Sequence, residues 1–259
     1  MALVNYRIYG SSGPPVYILH GIFGMLDNWH YVAGHLAKHF TVITFDARNH
    51  GKSFHHPNAG YRDMAIDLAK LMDELGHERA HIAGHSMGGK TAMTFADLFP
   101  QRLLSLTIID IAPKAYPPGH TEYFRAFDSI DFSQISSRKE ADEAFTPFAP
   151  DAGVRQFLLK NLEPVPGNGY RLKINVTALR QHYTEIIGDL QLSGVFGGPA
   201  LFLTGSKSAY VKDSDKPGIY NHFPNAEFIE VQNAGHWVHA DNPEGFLHIF
   251  ETFLTRIQT

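Results

Sequence analysis

Apolar residues in the first half of this chain fall into short unbroken runs separated by helical stripes. Residues 16–19 and 41–45 are β-branched or aromatic runs, ended by His20-Gly21 and by Asp46, as expected of strands buried on both faces. Between them Trp29, Val32, Ala33, Leu36 and Ala37 recur at three- and four-residue spacing and predict a helix over 29–37. Met64, Ala65, Leu68, Leu71, Met72 and Leu75 form one stripe over residues 61–75, with Gly76 at the expected stop. A strand over 80–83 runs into Gly84, a helix over 90–99 is ended by Pro100, and 103–109 is a further buried strand finishing at Asp110. Strict alternation of this kind builds an α/β fold with a mostly parallel central sheet flanked by helices.

Past Pro113 the pattern changes. Residues 114–119 are turn-rich, and from about 120 to 188 the spacing is helical with few strand signals, which predicts a small helical cap inserted after the strand ending at Asp110. The core resumes near Phe196-Gly197-Gly198-Pro199 with strands over 200–204 and 227–231 and a closing helix over 243–257. The expected division is a core of residues 1–114 and 195–259 and a cap of residues 115–194.

Composition narrows the function classes. With 44% hydrophobic and 19% charged residues in 259, the chain has the make-up of an ordinary folded protein. Net charge is −4, from 22 Lys+Arg against 26 Asp+Glu, and no basic run carries interleaved aromatics, so nucleic acid is not an expected partner. The absence of cysteine removes thiolate nucleophiles, disulfides and Cys-based metal sites. Residues 1–7 lack the features of a leader and no 18-residue apolar run occurs, so a cytoplasmic protein without a membrane span is expected, either monomer or homodimer. Of sixteen histidines, the closest pairs, His55 with His56 and His77 with His81, lack a third ligand at metal-site spacing; they read as surface or packing residues, and no metal or cofactor is expected.

The candidate chemistry centres on Gly84-His85-Ser86-Met87-Gly88, between a predicted strand and a predicted helix. A sharp reversal there forces strained angles on Ser86, leaves no room for side chains at 84 and 88, and aims the amide end of the helix at a developing oxyanion. The Met87 amide is one candidate oxyanion donor by position; Ile22, in the loop after the first buried strand, is the preferred second, with Phe23 the alternative. His236, in Gly235-His236-Trp237 before the closing helix, is the candidate base, and His239 reads as its neighbour on the incoming helix.

Together, His20-Gly21, Asp46-Ala47-Arg48-Asn49-His50-Gly51-Lys52-Ser53, Gly84 to Lys90 and Gly235 to His239 resemble the α/β-hydrolase superfamily along nearly the whole chain. Within it, Arg48-Asn49-His50-Gly51, Gly88-Gly89-Lys90 and Asp110-Ile111-Ala112-Pro113 resemble the YbfF-type esterases and their mitochondrial abhydrolase relatives. The resemblance implies cofactor-free hydrolysis of esters or thioesters with short to medium acyl groups, through a Ser-His-Asp triad and an acyl-enzyme. It also implies an acid three residues beyond the glycine that follows strand 200–204, where this chain has Ser208. Asp110 is the preferred substitute, because α/β sites lie beyond the C-terminal ends of strands; Asp213 and Asp215, in a charged stretch read as solvated, are the alternative. Candidate pocket residues are Phe23, Phe124, Phe127, Phe157, Leu158, Tyr183 and Trp237, those of the cap being equally suited to its core. The 46–53 loop reads as structural. A carbon–carbon bond hydrolase or a perhydrolase would use the same residues, and a non-catalytic ligand receptor on this fold would keep the pocket without the reaction.

Overall fold

Residues 3–258 are described by a computed structural model; Met1, Ala2 and Thr259, at the ends of the expected core, lie outside the described residues. In the first half the strands are β1 (Tyr6–Tyr9), β2 (Pro15–Leu19), β3 (Thr41–Phe45), β4 (Ala80–His85) and β5 (Leu103–Ile109). The helices are α1 (His30–Leu36), α2 (Tyr61–Glu74) and α3 (Met87–Leu98). Side chains alternate across each strand, so one unbroken apolar run serves two cores. Val16 and Ile18 of β2 pack with Trp29, Leu36 and Phe250 on one face; Tyr17 and Leu19 pack with Leu68, Met72 and Phe95 on the other. The stripe of α2 stops as its sequence predicts: Gly76 takes φ 71°, its amide donates to Asp73 and that of His77 to Met72, which satisfies the last carbonyls of the helix.

The first departure from expectation is β1. It is largely exposed, and it exists by pairing antiparallel with β3 at the sheet edge, so no apolar run announces it. The other strand pairs of the main sheet are parallel.

Between β5 and the next core strand lie α4 (Thr121–Ser129), α5 (Arg138–Phe145), α6 (Ala152–Leu159), β6 (Leu162–Pro164), β7 (Tyr170–Leu172), α7 (Val176–Gln181) and α8 (Tyr183–Ile187). The β6–β7 hairpin corrects the helical reading of this stretch. Three-residue strands are too short to show a period of two, and their turn depends on Gly167 and Gly169 at φ 73° and 65°. Phe124, Phe127, Phe145, Leu158 and Leu179 of this insertion pack with Ile22, Phe23 and Met87, which follow β2 and β4, so the insertion sits over the C-terminal ends of the strands. Its two connections are tied together: Tyr116 donates its amide to Ile187 at 2.7 Å and Leu190 to Pro113 at 3.0 Å. Lys90 of α3, fully buried, reaches the Lys114 carbonyl at 2.9 Å and the Gly188 carbonyl at 2.5 Å, one on each connection.

The chain closes with β8 (Ala200–Gly205), α9 (Lys216–His222), β9 (Ala226–Val231), α10 (Val238–Asp241) and α11 (Pro243–Gln258), giving a sheet of order β1-β3-β2-β4-β5-β8-β9. Helix α9 is hidden in sequence by Pro217 and Gly218; proline is compatible with a first turn, where its missing N–H has no intrahelical partner to lose. No helix among the described residues is long and apolar enough to cross a membrane.

Candidate active site

Ser86 is the single residue between β4 and α3, at φ 53° and ψ −116°, a conformation that costs a non-glycine residue about 1–3 kcal/mol. The reversal is possible because its neighbours lack side chains. A Cβ on Gly84 would lie 2.1 Å from the Gly88 carbonyl oxygen, and one on Gly88 would lie 2.6 Å from those of Leu19 and His20. Helix α3 therefore starts directly beneath Ser86, with its unpaired amides and their partial positive charge at that end.

The loops after β2 and β3 are cross-braced around this point. The His20 ring donates from Nδ1 to the Gly21 carbonyl and accepts the Ala47 amide at Nε2. That of His50 donates to the Arg48 carbonyl and accepts the Phe23 amide at 3.2 Å. Both rings must be neutral to accept, and burial lowers their pKa values to about 4 and about 3. Asn161 of the insertion donates to the Phe23 carbonyl at 2.8 Å and helps hold Phe23 at φ 60°. With the Phe23 amide committed to His50, it is not free as a donor; the Ile22 and Met87 amides have no acceptor among the described residues. The 46–53 loop is tied down by its own and neighbouring segments. The Asp46 carboxylate accepts the Leu26 and Lys52 amides, and Arg48 forms a two-pronged pair with Asp67.

Asp110 follows β5 at φ 50° with its carboxylate buried. Oδ2 accepts His236 Nδ1–H at 2.7 Å and Ser208 Oγ–H at 2.5 Å, while Oδ1 accepts the Gly205 amide at 3.2 Å. The serine standing where an acid was expected thus donates to the carboxylate of the next strand. Asp213 pairs with Lys216 on the surface. Asp215 is not solvated, as its stretch suggested, but sits in a 2.5 Å pair with Lys114.

Because Asp110 accepts the Nδ1 hydrogen, a neutral His236 keeps its lone pair on Nε2. The ring lies flat against Tyr210, centroids 3.7 Å apart and planes 14° from parallel, and the His236 carbonyl accepts His85 Nε2–H at 2.8 Å. His239 is stacked on Trp29 at 4.0 Å.

Ser86 and His236 border one cavity of about 570 Å³, whose wall includes Ile22, Phe23, Phe157 and Trp237. A narrow cavity of about 30 Å³ lies against Ser86 as well, bordered by Met87, Tyr116 and Ile186. Phe124, Phe127 and Leu158 are on neither wall; their helices turn them into the packed interior of the insertion. Tyr183 is likewise off both walls, and its hydroxyl holds His120. Sequence reasoning missed His120, Tyr210 and His85 as residues around the site. His85 lies inside the motif and Tyr210 two positions beyond Ser208, while nothing local marks His120. Among the described residues no group of three or more His, Asp or Glu is placed to hold a metal ion.

Comparison with known proteins yields a match of residues 14–243 to the family model described as alpha/beta hydrolase fold. The sn-1-specific diacylglycerol lipase ABHD11 of Danio rerio is 37% identical over 262 residues, spanning 97% of this chain and 82% of that protein. Esterase YbfF of Escherichia coli strain K12 is 35% identical, spanning 94% of each. The solved structure of a marine microorganism esterase superposes with a TM-score of 0.95 at 37% identity, covering 98% of this chain and 100% of that one.

Proposed function

The chain belongs to the α/β-hydrolase fold family, and on that basis we propose that it hydrolyses carboxylic esters, and thioesters, of short to medium acyl chains by a serine mechanism. Ser86 Oγ attacks the acyl carbon while His236 Nε2 takes its proton; the Ile22 and Met87 amides receive the oxyanion. Asp110 holds the imidazole in the required tautomer and faces the positive charge that forms on it. Collapse of the tetrahedral intermediate expels the alcohol or thiol with the proton from His236. Water, deprotonated by the same ring, then releases the acid and restores Ser86. Residues 115–194 serve as the cap that closes the acyl site, with Phe157 of α6 set against Trp237.

The observation that carries this reading is the 2.7 Å contact between His236 Nδ1 and Asp110 Oδ2, in a ring bordering the cavity of a strained serine at a helix start. A receptor does not require that combination of tautomer and backbone strain. The test is turnover of p-nitrophenyl acetate, butyrate and octanoate and of butyryl-CoA by wild type and Ser86→Ala. Ser86-dependent release from at least one is expected; equal rates in the two proteins would remove Ser86 as the nucleophile.

A further inference from the structure

The two cavities meet at Ser86, and four residues border both: Ile22, Ser86, His120 and Tyr210. The first two belong to the machinery proposed above, and Tyr210 covers the His236 ring. His120, just before α4, has no part in either.

Its tautomer follows from hydrogen-bond accounting. The Tyr183 hydroxyl oxygen lies 2.9 Å from the His120 amide nitrogen and 2.9 Å from His120 Nδ1. The amide can only donate. The hydroxyl accepts the amide hydrogen and has one of its own to give; Nδ1 is its acceptor among the described residues, and that donation leaves the imidazole hydrogen on Nε2. Edge contacts with Phe23 at 5.8 Å and Tyr183 at 5.7 Å fix the ring. Burial lowers its pKa to about 4, so it is a neutral donor at working pH. No acceptor for the Nε2 hydrogen is present among the described residues.

An unpaired N–H on a side chain that borders both cavities selects for an acceptor on whatever fills them, because an apolar occupant would leave the donor unmet. We propose that His120 Nε2–H binds a substrate oxygen one or two carbons from the scissile ester, making the site selective for oxygen-bearing esters over their hydrocarbon isosteres. That oxygen belongs either to the acyl chain or to the leaving alcohol, and the chemistry is the same. The inference rests on Ser86 being the nucleophile of the proposed reaction.

Two substrate pairs test it. On the acyl side, p-nitrophenyl methoxyacetate is compared with p-nitrophenyl butyrate; on the alcohol side, 2-methoxyethyl butyrate is compared with butyl butyrate. Each pair yields a ratio of kcat/KM, and dividing the wild-type ratio by that of His120→Phe cancels the esters' intrinsic reactivities. A fall of about tenfold is expected in one pair, the worth of one hydrogen bond, and the pair that responds identifies the side. His120→Gln, which keeps an N–H donor, retains most of the preference. Tyr183→Phe frees the tautomer and loses part of it, a response that mere packing would not produce. Ratios unchanged in His120→Phe for both pairs overturn the proposal, as do unchanged ratios in Tyr183→Phe should His120→Phe fail to fold. Ser86→Ala run in parallel separates the two readings: turnover that survives it defeats the proposed function, whereas Ser86-dependent turnover with unchanged ratios defeats only the role of His120.

Discussion

Ser208 Oγ stands 2.5 Å from Asp110 Oδ2, the same carboxylate oxygen that receives His236 Nδ1–H. Two loops from adjacent strands thus act together on one imidazole, the loop after β5 supplying the charge and the loop after β8 a donor that restrains it. In Asp110→Asn the side chain can turn its NH₂ toward the ring, forcing the wrong tautomer, and kcat on p-nitrophenyl butyrate should fall about 10⁴-fold. Ser208→Ala removes only a restraint and should cost about tenfold. A kcat for Asp110→Asn within tenfold of wild type would remove it from the proposed triad.

Acid should destabilise this protein through histidines that are buried in the neutral form. His20, His50 and His81 are almost fully buried, and burial lowers their pKa values to about 4, 3 and 4. In the unfolded chain each titrates near 6.5, so below that pH the unfolded state binds more protons. Stability is complete above about pH 6.5 and is lost as pH falls toward 4. The slope is about 1.4 kcal/mol per pH unit for each ring, or about 4 kcal/mol per unit for the three together around pH 5. Urea midpoints measured from pH 7 to pH 4.5 check this, and a flat profile would contradict it.

The Lys90 ammonium bonds both connections of the insertion, at Lys114 on one and Gly188 on the other. Lys90→Met keeps the apolar stem of the side chain but strands the Lys114 and Gly188 carbonyls, at a cost of about 2–4 kcal/mol. Differential scanning calorimetry should register a Tm lower by about 5–15 °C. An unchanged Tm would mean that other donors replace the ammonium.

Arg48 and Asp67 form a two-pronged pair at 2.6 and 2.9 Å, with side chains 6% and 5% exposed. Asp67→Ala leaves the buried guanidinium with the partly exposed Asp63 carboxylate and the Asn58 and Asp63 carbonyls, and should cost about 3–5 kcal/mol. Asp67→Ala/Arg48→Met, which removes the stranded charge, should recover much of that in chemical denaturation. A double variant no more stable than the single one would show that the charge is not the source of the loss.

Much of the fold was legible because its cues are local. The unbroken apolar runs at 16–19, 41–45 and 103–109 and the periodic stripe of α2 are each read within one segment, and the stop at Gly76 needs only one residue at positive φ. What escaped had no periodicity to show. Strand β1 is exposed and defined by its partner, the β6–β7 strands are three residues long, and α9 begins with Pro217-Gly218.

The same division runs through the candidate site. The order of residues was enough to dictate the turn that strains Ser86, since Gly84 and Gly88 are the residues such a turn demands, and to set His236 in a loop after the last strand. Packing in three dimensions was needed to choose which carboxylate faces His236, which aromatic residues border the cavity and which fill the insertion, and to bring His120 and Tyr210 to Ser86 at all. Asp110 and His236 are 126 residues apart, and the contact between them depends on β5, β8 and β9 lying side by side. Backbone strain is written in neighbouring residues; hydrogen bonds between distant side chains are written in sheet order and helix packing, which no single segment encodes.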